Sequence, residues 1–286
     1  DDEERYELRI ASWLHDCGKV AVPEYVVDKA TKLHTLYDRI ETVRLRFEIL
    51  KRDAEIAYLQ SANNAGADAT ALRENFEKKL ADIEGDFRVV LQSNLAVENM
   101  PEEDVARIES IAENRHWTDG SGTERSVLTD NELRNLTVRR GNLLPEEREM
   151  INNHIVVTID MLQHLPFPAE LARVPEYAGG HHERMDGKGY PRGLKREDMS
   201  VPARMMAIAD IFEALTSPDR PYKQAKKLGE TMAIMTGMVR NNHIDPDLFS
   251  LFVDSGVHLR FAEKFLESWQ VDIDAGGAVL TQRDGD

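Results

Sequence analysis

The stretch "LYDRIETVRLRFEILKRDAEIA", residues 36–57, carries the clearest periodicity in the chain. Leu36, Ile40, Val43, Phe47, Leu50, Ala54 and Ala57 recur at intervals of 4-3-4-3-4-3, the spacing that holds one apolar seam along one side of an α-helix. "SANNAGADAT" (61–70) breaks the pattern with Gly66 and two asparagines. A second seam follows at Leu72, Phe76, Leu80, Ile83, Phe87 and Val90. Two seams joined by a short polar turn predict an antiparallel coiled-coil hairpin, with arms of about 25 residues or ~38 Å. The seams suit pairing with each other or with a second chain, and the spacing does not choose. Neither arm holds a cluster of ligand side chains, so the hairpin reads as an arm and not as a catalytic element.

The helical period recurs outward from the hairpin. From Tyr6 to His15, Leu8, Ala11 and His15 share a face, and Gly18 marks the stop. Pro23 opens a short second segment. Residues 98–141 read as irregular, around the loop "TDGSGTERS". "LLPEEREMINNHIVVTIDMLQHL" starts a helix at Pro145, and "VPARMMAIADIFEALTS", "GETMAIMTGMV" and "DPDLFSLFVDSG" are helical in turn. Strand-like alternation is scarce. The expectation is an all-α fold: a helical bundle built from 1–32 and 141–268, a hairpin insertion at 33–140, and a C-terminal tail at 269–286.

Composition narrows the function. With 41% apolar and 31% charged residues the chain is globular. A net charge of −16 opposes DNA binding, which needs a basic footprint, but it permits a phosphate held through metal ions. No run of apolar residues is long enough for a membrane span in this segment, the acidic start has no signal-peptide core, and a lone cysteine, Cys17, fits a reducing cytoplasm.

Ligand-type side chains gather at four places: His15, Asp16 and Lys19 in "LHDCGK"; His154; the adjacent pair His181 and His182; and Asp210. Neighbouring residues point in different directions, so a His-His pair does not fill a core, whereas splayed imidazoles at a helix end can serve two metals. Asp210 lies among Met206, Ile208, Ala209, Ile211 and Phe212. A carboxylate there is costly to bury alone, so it faces solvent or meets a cation. Four histidines and two aspartates suit borderline divalent metals such as Fe, Mn, Zn, Ni or Co. An aspartate bridging two ions ~3.5–4 Å apart makes a phosphoryl-transfer site. In the loop Asp186, Gly187, Gly189, Tyr190 and Pro191, the glycines predict a tight turn with positive φ and the proline a stiff exit. Cys17, His34, His116, His164, His243 and His258 read as structural or surface residues.

"HDCGK" (15–19), "INNH" (151–154), "HHERMDGKGYP" (181–191) and "AIADIFEALTSPDRPYK" (207–223) together resemble the HD-GYP family, a branch of the HD-domain metal-dependent phosphohydrolases. The resemblance covers about residues 5–32 and 141–255, in the expected order. It implies a phosphodiesterase that hydrolyses cyclic di-GMP to linear pGpG, and onward to GMP, by attack of a metal-bound hydroxide. The competing readings are an HD phosphohydrolase for another nucleotide and a catalytically silent signalling or dimerisation module. By position, His15, Asp16, His154, His181, His182 and Asp210 match the metal ligands, with Asp16 bridging. Lys19 matches the lysine beside the scissile phosphate. Tyr190 matches the residue that shapes the substrate pocket, and Arg220 and Lys223 match residues that grip the ligand's phosphates and guanine. The resemblance further implies two or three divalent ions, Fe or Mn foremost, contact with a diguanylate cyclase through the Gly-Tyr-Pro loop, and a sensory domain upstream. A homodimer through the arm fits the same picture. Family members carry further ligands ahead of the His-Asp doublet, so the expectation is a piece of a longer protein with one metal position incompletely ligated. Glu3, Glu4 and Glu7 share the helix of His15 and are poorly placed to substitute.

Overall fold

The structure, a computed structural model, describes residues 1–63, 68–95, 99–217 and 225–273. Helices follow one another almost without interruption: α1 (Asp2–Leu14), α2 (Glu24–Val27), α3 (Ile40–Ala62), α4 (Ala69–Ser93), α5 (Glu102–Asn114), α6 (Asp130–Leu136), α7 (Pro145–Asn152), α8 (His154–Gln163), α9 (Val174–Gly179), α10 (Val201–Thr216), α11 (Leu228–Arg240), α12 (Pro246–Asp254) and α13 (Val257–Phe265). Among the described residues the only sheet is an antiparallel pair, β1 (His116–Thr118) with β2 (Glu124–Ser126). The chain is all-α in class. It divides into two compact units, Asp1–Pro23 with Glu149–Asp286, and Glu24–Arg148.

In the unit Glu24–Arg148, α3 and α4 form the hairpin and their seams pair with each other. Phe47 meets Phe87 with ring centroids 5.2 Å apart, and Tyr58 stacks on Phe76 at 4.8 Å. Asp68 caps α4 by accepting from the backbone N–H groups of Thr70 and Ala71. The seam begins later than its periodicity predicts: Leu36 precedes α3 and is 94% exposed, because the chain turns at residues 34–38 before the helix starts.

The reading of 98–141 as irregular is corrected. Val105, Ile108, Ile111 and Ala112 of α5 are buried against Val43, Phe47, Ile83 and Val90 in one core, and Asp86 of α4 binds both Arg107 and Arg115 of the α5 stretch. The loop "TDGSGTERS" is the tip of the β1–β2 ribbon. α6 opens on a capping box in which Thr129 and Glu132 satisfy each other's backbone N–H groups. Buried charges here are ion-paired except Lys32, whose ammonium donates to the Leu136 carbonyl. Arg46 holds Glu132, and Lys29 donates to both oxygens of Glu147 and to Asn135.

The unit Asp1–Pro23 with Glu149–Asp286 buries two apolar clusters. One joins Ala11, Leu162, Val174, Tyr177, Ala178 and Met206; the other joins Ile208, Phe212, Leu228, Met235, Ile244 and Phe249. The helix expected from Pro145 is two helices, α7 and α8, meeting at Asn153. The end of the described chain is packed: Gln270 donates to the carbonyls of Thr216 and Lys226, and Ile273 lies in the second cluster. The tail reading of 269–286 therefore does not describe 269–273, and 274–286 lie outside the described residues.

Candidate metal centre

Three local devices bring the ligand side chains together. α1 ends at His15, and Asp16 turns the chain at φ −107°, ψ 10°, the bridge region in which many active-site residues sit. Gly18 then lies against α8. Its N–H donates to Thr158 Oγ1 at 2.9 Å, and a Cβ at this position would sit 2.0 Å from the carbonyl oxygen of His154. Only glycine lets the 15–19 turn approach this closely, and the approach places Asp16 against His154, the first residue of α8. α9 ends at Gly179 and delivers His181 and His182, while α10 carries Asp210 in from a third direction.

The six expected ligands converge. Asp16, His154, His181 and His182 offer one group of donor atoms, and His15, Asp16 and Asp210 a second; within each, all the atoms lie within 4.8 Å of one another. Asp16 belongs to both. Its Oδ1 lies 3.1 Å from His154 Nε2 and 3.9 Å from His181 Nε2, and its Oδ2 lies 3.4 Å from His15 Nε2. His15 Nε2 is also 3.6 Å from Asp210 Oδ1, and His182 Nε2 is 3.3 Å from His154 Nε2.

The opposite side of each ring explains why these nitrogens are available. Nδ1 of His15 hydrogen-bonds the Ser12 carbonyl at 2.7 Å, Nδ1 of His154 the Ile151 carbonyl, and Nδ1 of His181 the Ala178 carbonyl at 2.7 Å. A carbonyl only accepts, so each Nδ1 is the donor, and a neutral ring then presents Nε2 as a lone pair. Asp16 Oδ1 and His181 Nε2 are buried with no hydrogen-bond partner. Lone pairs aimed at a carboxylate repel unless a cation lies among them, and this donor chemistry fits a divalent metal held by N and O atoms.

The electrostatics agree with that fit. Burial and the neighbouring His181 push His182 down to about 3, and burial lowers His181, so both rings stay neutral and ready to ligate. Burial opposes ionisation of Asp16, but the His154 ring and the Lys19 ammonium facing it hold the carboxyl well below its usual range. Lys19 Nζ stands 2.5 Å from Asp16 Oδ2. Burial also opposes ionisation of Asp210, and His15 with the histidine pair holds it low. His15 itself is raised: burial lowers it, but Asp210 and Asp16 outweigh that.

The Gly-Tyr-Pro loop closes one side. The Tyr190 ring stacks on His182 at 4.8 Å, and its N–H donates to the His182 carbonyl. Burial pushes the Tyr190 hydroxyl up to about 12. Gly187 has the expected positive φ, +75°, whereas Gly189 is needed for closeness instead: a Cβ there would sit 2.4 Å from Glu183 Cα and Arg184 N. Asp186 accepts from Arg184 and from the Lys188 N–H. Arg220 and Lys223 lie outside the described residues.

Three supporting residues escaped the sequence reading. Glu183, 1% exposed, accepts from the N–H groups of Arg192 and Leu194 at 2.8 Å each and ties the loop's exit to its root. Thr158 anchors Gly18. Asp245, fully buried, binds Arg196 and Arg204 and caps α12. The glutamate directly after the histidine pair was the one visible signal. Glu7, considered as a spare ligand, is instead bound to Arg173.

The family model for the HD domain matches residues 127–248, a span that holds His154, His181, His182, Tyr190 and Asp210. That stretch is similar to the HD domain. His15, Asp16 and Lys19 precede the matched span, and the Gly18–Thr158 contact fastens them to it. Among curated proteins, this chain is 48% identical over 80 residues to a 3′3′-cGAMP-specific phosphodiesterase of Vibrio cholerae (28% of this chain, 18% of the relative). It is 41% identical over 107 residues to a cyclic di-GMP phosphodiesterase of Pseudomonas aeruginosa (36% and 25%). It is 40% identical over 95 residues to a cyclic di-GMP phosphodiesterase of Thermotoga maritima (33% and 25%). The aligned segments thus span a quarter or less of these three relatives' length. Among the described residues no helix is long and apolar enough to cross a membrane.

Proposed function

We propose that this HD domain is a metal-dependent phosphodiesterase that opens a cyclic dinucleotide, cyclic di-GMP foremost, to the linear pGpG and onward to GMP. The observation that carries the reading is the sharing of Asp16 between two donor groups. Asp16, His154, His181 and His182 would hold one ion, and His15, Asp16 and Asp210 a neighbouring one, with Fe or Mn suited to mixed imidazole and carboxylate donors. Such ions supply Lewis acidity toward phosphoryl oxygens and a nucleophile at neutral pH.

The chain's own residues do the rest. The backbone carbonyls of Ser12, Ile151 and Ala178 fix the tautomers of their histidines, so Nε2 is always the ligating atom. The ammonium of Lys19 sits at the rim of the carboxylate cluster, where it offsets negative charge building on a phosphate in transition. Tyr190, rigid on His182, forms a flat wall against which a base or ribose can rest. The test is direct: the chain supplied with Mn or Fe(II) is incubated with cyclic di-GMP and the products are chromatographed. Absence of linear product with either metal sinks the proposal. The names of the relatives favour a second substrate, 3′3′-cGAMP, and competition between the two dinucleotides in one reaction ranks them.

A further inference from the structure

α3 carries two apolar stripes. The inner one, through Val43, Phe47 and Ala54, is buried in the core of its unit. On the opposite side Leu45, Ile49, Arg52, Ile56 and Leu59 recur at 4-3-4-3, a second heptad seam within the same helix. Leu45 is 64% exposed and Ile56 and Leu59 are 52% exposed. A helix that is apolar on two opposed faces is expected to be covered on both, and among the described residues only one is covered.

The charges beside the seam indicate what covers the other. Elsewhere on α3 the charges are spent inside the chain: Arg44 on Glu41, Lys51 on Glu48 and Glu84, Arg46 on Glu132. Arg52, Asp53 and Glu55, in the middle of the outer seam, form no ion pair among the described residues. The face therefore presents a cation and two anions at one level, which makes it complementary to itself. In a parallel pairing Arg52 would meet its own copy across the seam. An antiparallel pairing centred near Ala54 instead sets Ile49 against the partner's Leu59 and Arg52 against the partner's Ile56. The Arg52 stem then packs on isoleucine while its guanidinium reaches the partner's Glu55.

From this geometry we infer that the outer face of α3 is a self-association surface, which pairs two copies of this chain as an antiparallel coiled coil about a two-fold axis. The inference is independent of the catalytic reading. Four apolar residues per copy form an area below the ~1,200 Å² of a standard stable interface, so the dimer is weak and concentration-dependent.

Sedimentation equilibrium of the full chain across a wide concentration range tests it. The expected result is a monomer–dimer equilibrium, weakened at least about tenfold in Ile56→Glu/Leu59→Glu. Both positions are on the surface, and circular dichroism checks that the variant folds. The decisive arm is charge exchange. Arg52→Glu alone and Asp53→Arg/Glu55→Arg alone are each expected to lose self-association, and their mixture to regain it as a heterodimer. A wild-type chain that stays monomeric at every concentration overturns the proposal. So does a dimer that ignores the Ile56→Glu/Leu59→Glu change, or a mixture that does not associate. Because the readout is mass, failure here leaves the hydrolysis assay untouched.

Discussion

The buried charges of Glu24–Arg148 and the polar groups around His15–Asp16 are treated in opposite ways. In Glu24–Arg148 the buried carboxylates meet cations and the buried cations meet acceptors: Lys29 meets Glu147 and Asn135, Glu132 meets Arg46, Asp86 meets Arg107 and Arg115, and Lys32 donates to the Leu136 carbonyl. Around His15–Asp16 the valences are left open, with Asp16 Oδ1 and His181 Nε2 buried and unpartnered. The Asp16 side chain is partly exposed, but its Oδ1 and the whole of His181 are enclosed, so the contrast lies in satisfaction. A buried group without a partner costs stability, so a cluster of such groups marks a site built for something that arrives later.

Substitutions should separate the two designs by what they damage. Asp16→Ala removes the carboxylate common to both donor groups, and the expected outcome is a loss of turnover of at least ~10³-fold with the fold retained. Metal analysis and product chromatography on the same preparation check it, and a variant that keeps its metal and its rate would break the contrast. Lys29→Met strands Glu147 in a buried setting and should cost about 3–5 kcal/mol of stability, read by urea unfolding, while the ligand set stays intact. Gly18→Ala falls between the two. Its methyl meets the His154 backbone, so a stability loss of about 1–3 kcal/mol should come with weaker metal binding, measured by competition with a chelator.

The smallest effect concerns Lys32, which is fully buried and contacts the Leu136 carbonyl and Met100 sulfur. Burial lowers its pKa from 10.5 to about 8, so the folded state resists its charge. Stability is therefore reduced below the folded pKa and recovers as pH rises toward the unfolded value, because the unfolded chain then binds more protons. Between about pH 7.5 and 9.5 the gain should approach ~2 kcal/mol, and Lys32→Met should flatten the curve in denaturant titrations.

Much of the candidate site was legible because the chemistry proposed for it needs rare residue types in rare places. A His-Asp doublet at a helix end, a His-His pair and an aspartate in an apolar helix have few other uses. The helices followed from period and caps. What escaped was order supplied from a distance. Residues 101–114 carry a helical period of their own, but the glycine-rich ribbon after them drew the whole stretch into a loop reading. The outer seam of α3 was hidden by the stronger inner one, since a single period was enough to assign the helix. Glu183 and Thr158 act through backbone groups that no sequence pattern displays.

The Lys29–Glu147 pair has a consequence for how the molecule assembles. It joins residues 118 apart, and with Asn142 donating to the Lys29 carbonyl it brings the two ends of the Glu24–Arg148 unit together. Gly18 and Thr158, which must meet to assemble the candidate metal ligands, are 140 residues apart. Closing so long a loop from a disordered chain, compared with a loop of a few residues, costs about 2–3 kcal/mol of extra entropy. Once the inserted unit has folded and clasped its own ends, most of that distance has already been removed. The clasp would thus shorten the path to be closed: breaking it should slow the refolding of a candidate metal centre in which neither residue takes part.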